Sequence, residues 1–109
     1  MKKSGIIHPD SPSGREIGFT SDKFEADAYL WRSPGRIMVS FMATKHEGKG
    51  HFRDLVQAIR RRGLDVAIPT PLGRMAHIVR KCGYVRTTEP HSVPAMGDVE
   101  IWTLKGLSR

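Results

Sequence analysis

The chain has 109 residues, a size that holds one domain with a single core and no second unit. With 39% hydrophobic and 27% charged residues it has the composition of a folded globular protein, which excludes the disordered and collagen-like classes. Its 18 Lys and Arg against 11 Asp and Glu leave a formal net charge of +7, which favours anionic partners such as nucleotides, coenzymes or nucleic acid and does not choose among them.

One cysteine, Cys82, excludes an internal disulfide and a multi-cysteine zinc site, and fits a reducing, cytoplasmic setting. Residues 1–13 hold only Ile6 and Ile7 as an apolar pair, far short of a signal-peptide core. No stretch approaches the length of a membrane span, so the expectation is a protein neither exported by a visible signal nor anchored.

In chain order, residues 1–14 predict one short strand around Ile6 followed by a Pro- and Ser-rich loop. Residues 15–20 read as a strand, and residues 21–23 as a turn. Residues 24–31 alternate small or apolar Phe24, Ala26, Ala28 and Leu30 with Glu25, Asp27 and Tyr29, the pattern of a half-buried strand. Arg32-Ser33-Pro34-Gly35 is a turn signal, since proline sets φ and glycine accepts positive φ. Residues 36–43 follow as the most apolar strand, expected to be central and buried on both faces of an antiparallel meander.

From Lys49 the period changes. Phe52, Leu55, Val56 and Ile59 fall at i, i+3, i+4 and i+7, which predicts an amphipathic helix that ends at Gly63 with Arg60, Arg61 and Arg62 at the negative end of its dipole. Residues 64–68 read as a short strand stopped by Pro69. A second helix starts at Thr70 or Gly73 and places Met75, Ile78, Val79 and Cys82 on one apolar face, so Cys82 is read as a core residue. Residues 84–87 form a strand, residues 89–98 a surface loop and residues 99–104 a closing strand.

The strand-to-helix junction carries the chemistry. Glycines let a backbone approach a ligand closely, and the unpaired N–H groups of a helix start favour negative charge, so Gly48-Lys49-Gly50 ahead of a helix predicts a phosphate or pyrophosphate site with Lys49 in support. Among five histidines, His8, His46, His51, His77 and His91, no pair has the spacing of a helical metal site, so no metal is expected; His51 or His46 is the candidate general base. Arg53 and Arg60 to Arg62 offer an alternative use of the first helix as a nucleic-acid surface.

The element order β-β-β-α-β-α-β-β, with a short N-terminal strand before it, resembles the GNAT family of acetyl-coenzyme A dependent N-acyltransferases over residues 15–104. Two short motifs carry the resemblance: Glu47-Gly48-Lys49-Gly50-His51-Phe52, similar to the family's glycine turn, and Gly83-Tyr84, similar to the Gly-aromatic pair that closes its second helix. The resemblance implies an α/β (α+β) fold with a mixed central sheet. It also implies that Gly48, Lys49, Gly50, His51 and Phe52 bind the coenzyme pyrophosphate, while Phe41, Met42 and Ala43 offer backbone groups to the pantetheine arm. The partners so implied are acetyl-coenzyme A or a related acyl-coenzyme A and an amine acceptor, in a monomer or homodimer.

The chain departs from the family pattern at four places. Glu47 replaces the leading Arg or Gln of the turn, with Lys45 at Lys-x-x-Gly-x-Gly spacing; Phe52 replaces the third glycine; Val79 stands where many members carry a tyrosine general acid; and the helical region before the second strand is nearly missing. It therefore resembles a minimal member of the kind found among small phage and prophage-encoded proteins. Glu25, Asp27 and Ser40 stand where members often place a base, and none of them is assigned. The alternative function is a non-catalytic GNAT-like protein that binds a macromolecular partner.

Overall fold

The computed structural model describes residues 3–41, 49–71, 73–90 and 97–107. Along them run β1 (Gly5–Ile7), α1 (Pro12–Glu16), β2 (Tyr29–Ser33), β3 (Arg36–Phe41), α2 (His51–Arg61), β4 (Asp65–Pro69), α3 (Arg74–Lys81), β5 (Val85–Pro90) and β6 (Asp98–Leu104). The six strands form one mixed sheet in the order β1-β2-β3-β4-β6-β5. All neighbours are antiparallel except β3 and β4, which run parallel and need the crossover helix α2 between them.

The start of the chain corrects the sequence reading. Residues 15–20 are not a strand: Ser11 caps a helix by accepting from the Gly14 N–H at 3.0 Å, Pro12 stands in its first turn, and the chain then turns so that Ile17 and Phe19 are buried. The short strand around Ile6 takes the place in the sheet that residues 15–20 were expected to fill. Residues 24–31 form a strand only from Tyr29, because the acidic stretch around Glu25 and Asp27 turns instead, with the Ala28 N–H donating to the Glu25 carbonyl at 3.0 Å. Phe24 is nevertheless buried, its ring centroid 5.0 Å from that of Phe19. At the other end, Glu89, Pro90 and Asp98 belong to the β5–β6 ladder and not to the loop.

The β2–β3 hairpin closes through Pro34 and Gly35, and Gly35 takes a φ of 77°, which an L side chain rarely adopts. In β3, Ile37 and Val39 are buried and Met38 is half-buried, so one face of this strand enters the core, not both.

Alternation gives the sheet two different faces. Ile7, Leu30, Ile37, Val39, Val66 and Ile68 share one face, and they form a single buried cluster with Leu55, Val56 and Ile59 of α2, Val79 of α3, and Ile17, Phe19 and Phe24 of the α1 region. The helices therefore cover this side, as right-handed crossovers from β3 to β4 and from β4 to β5 require. A cross-strand row of Ile6, Trp31, Met38, Ala67, Thr103 and Val85 marks the opposite face, where Ile6, Trp31 and Val85 are exposed. Arg36 and Glu89 belong to that face by alternation. They meet in a two-bond pair, Nη1 to Oε2 at 2.8 Å and Nη2 to Oε1 at 3.0 Å, which ties β3 to β5 across two intervening strands.

Candidate functional site

The β3–α2–β4 unit places the start of α2 beyond the carboxyl end of a central strand, where open sheets of this kind offer a crevice. Gly50 is the N-cap residue, with φ 76° and ψ 15° in the left-handed region, and it offers no side-chain oxygen to the first turn. The helix ladder begins when the Asp54 N–H donates to the Gly50 carbonyl at 2.9 Å. The N–H groups of His51, Phe52 and Arg53 therefore precede the ladder and point out of the helix start, where its dipole is positive.

Cations frame this turn. Lys49 is exposed, and the Arg53 guanidinium lies back over Gly50: a Cβ built there would meet Arg53 Nη2 at 2.7 Å and Cζ at 3.3 Å. The Arg53 side chain remains 77% exposed, and its Nε stands 3.9 Å from Asp54 Oδ1, a loose and screened contact. A guanidinium beside the positive end of a helix is electrostatically unfavourable until an anion lies between them. Arg53 did not figure in the sequence reading of this turn; its position three residues after Gly50 was the available signal, because one helical turn brings that side chain back over the cap.

The candidate residues are brought together in part. Lys49, Gly50, His51 and Phe52 form one continuous turn, with Phe41 ending β3. Met42, Ala43, Lys45, His46, Glu47 and Gly48 lie outside the described residues, as does His91. The half-buried His51 ring packs against Phe24 with centroids 6.4 Å apart, and Phe52 packs against the core cluster. The loop carrying Phe19 and Phe24 thus braces the helix start.

Three further residues bear on the chemistry. Val79 is fully buried in the core. Tyr84, the aromatic after Gly83, is buried, and its phenol is pushed up to about 12 chiefly by that burial, so it stays protonated at neutral pH. Arg60 also acts on Tyr84, which places this phenol toward the far end of α2 from Gly50. Cys82 is exposed, contrary to its reading as core, because α3 stops at Lys81 and Cys82 is its C-cap.

Among the described residues no group of three or more His, Cys, Asp or Glu side chains is placed to hold a metal ion, and no helix is long and apolar enough to cross a membrane. Glu25 and Asp27 are exposed and lie before β2, not on it. Two of the arginines proposed for nucleic acid have structural partners: Arg60 Nε donates to the Lys105 carbonyl at 2.7 Å, and Arg62 pairs with Glu16 at 3.3 Å. No family model, curated protein or solved structure matches the chain.

Proposed function

We propose that the chain binds acetyl-coenzyme A, or a related acyl-coenzyme A, and transfers its acyl group to an amine as an N-acyltransferase. The observation that carries the reading is the uncapped start of α2, where Gly50 leaves the first-turn N–H groups open and Lys49 and Arg53 supply positive charge. Such a turn suits a pyrophosphate, and the absence of a Cβ at Gly50 allows close approach. The GNAT resemblance adds the rest of the coenzyme: Gly48 to the pyrophosphate, and the backbone of Phe41, Met42 and Ala43 to the pantetheine arm.

In the reaction, the acceptor nitrogen attacks the thioester carbonyl carbon. A C–N bond forms, the C–S bond breaks, and the coenzyme leaves as a thiol that gains the proton lost by the amine. A backbone N–H near Met42 or Ala43 polarises the carbonyl, and His51 or His46 takes the amine proton. A second reading, coenzyme binding without turnover, is favoured by the burial of Val79 in the place of an acid-bearing side chain.

Calorimetry with acetyl-coenzyme A tests the binding, with saturable uptake expected in the wild-type chain and its loss in Gly50→Glu. No heat at about millimolar ligand, which puts the Kd above about 1 mM and the binding free energy weaker than about −4 kcal/mol, would sink both readings. Thiol release in a panel of amines separates them: turnover supports the transferase, and binding without release supports the second reading.

A further inference from the structure

The positive charge of the chain is concentrated on its helical layer. Six of the 18 Lys and Arg residues, and only one of the 11 Asp and Glu, fall within α2 and α3. On α3, Arg74, His77, Arg80 and Lys81 are all exposed while Val79 anchors the other side in the core. On α2, Arg53 and Arg61 are exposed opposite Leu55, Val56 and Ile59. Both helices pack on one core cluster, so both present their outer faces on the same side of the sheet.

We infer that this two-helix ridge docks on the phosphate backbone of double-stranded nucleic acid, independently of base sequence. Side chains three and four positions apart on α3 stand about 5–6 Å from each other, so Arg74, His77, Arg80 and Lys81 make a ladder of donors suited to a line of phosphates. Among the described residues, Arg61 and Lys81 have no ion-pair partner, and Asp54 is the only acid on either helix.

Other anionic partners fit less well. A membrane-surface helix inserts large apolar side chains, and a protein interface needs buried anchors. Among the described residues the exposed large apolar side chains are Ile6, Trp31, Val85 and Leu107, none of them on either helix. Neither helix carries Trp or Tyr, and on α2 Phe52 packs against the core and His51 against Phe24, which leaves these rings poorly placed to stack on unpaired bases and favours duplex over single strand. This surface is separate from the coenzyme reading except at Arg53, and its test uses residues remote from Gly50.

Fluorescence anisotropy with a labelled duplex of about 20 base pairs, over a salt series from about 50 to 200 mM, reads the interaction. The logarithm of the affinity should fall linearly with the logarithm of salt concentration. The double variant Arg80→Ala/Lys81→Ala should bind about tenfold more weakly, with the slope reduced by about 1.8. Arg61→Ala should show about half that change in slope, and unchanged circular dichroism of each variant excludes loss of the fold. No binding at the lowest salt, affinity and slope unchanged in the double variant, or tighter binding to anionic lipid vesicles than to duplex would overturn the inference. Calorimetry of the double variant with acetyl-coenzyme A reports on the turn separately, so either proposal can fail alone.

Discussion

Gly50 is the residue on which the site depends, because two separate demands meet there. Its φ of 76° strains any L side chain, by about 1–2 kcal/mol, and a Cβ would displace the Arg53 guanidinium from the turn. Gly50→Ala should therefore lower stability by about 1 kcal/mol in urea unfolding and weaken the proposed coenzyme binding by more than that loss implies. Arg53→Ala tests the guanidinium alone: stability should change by less than about 0.5 kcal/mol, since the side chain is exposed, while affinity for the anion falls.

The Arg36–Glu89 pair makes a different prediction. Hydrogen bonding from Arg36 holds the Glu89 carboxyl below its ordinary value, and the reciprocal bond raises Arg36. A carboxylate whose folded value is depressed adds stability above its unfolded value, 4.5 for Glu89, and loses it as pH falls through the folded value. Glu89→Gln should cost about 0.5–1 kcal/mol at pH 7, discounted for the 38% exposure of the Glu89 side chain, and the difference from wild type should vanish in strong acid. Chemical denaturation at several pH values checks this; a difference that grows toward low pH would contradict it.

Among the elements, the strongly periodic ones were legible in the sequence. Leu55, Val56 and Ile59 specify one face of α2, and Gly63 follows just past its end. Truncating Ile59, which is fully buried, to Ala should cost about 2–5 kcal/mol in equilibrium unfolding. The first 30 residues were less legible because two codes overlap there. Ser11-Pro12 is a helix-start signal that reads equally as loop punctuation, and the five-residue α1 is too short to show a helical period. Phe24, Ala28 and Leu30 alternate like a strand yet reach the core partly from a turn, since burial sets the spacing of apolar residues without setting backbone hydrogen bonding. Ser11→Ala should remove the cap of α1 at a cost of about 1 kcal/mol, seen as a lower unfolding midpoint with an unchanged slope. At the candidate site, the helix start after Gly50 was readable, whereas the exposure of Cys82 and the return of Arg53 over Gly50 depend on where each helix starts and stops. Those limits are set by caps within a residue or two.

At the scale of the whole molecule, the sheet separates two surfaces of opposite character. The helical side carries most of the excess positive charge, while the other side bears the row from Ile6 to Val85 and the paired charges of Arg36 and Glu89. The proposed coenzyme turn follows β3, which among the described strands is the only one whose helix crossover leads to an adjacent parallel strand. The most direct test of coenzyme binding at that turn is a titration of the isotope-labelled chain with acetyl-coenzyme A, followed through its backbone amide resonances. Saturable shifts centred on Lys49, Gly50, His51, Phe52 and Arg53 are the predicted result. An absence of shifts at about millimolar ligand, or shifts confined to α3, would contradict it.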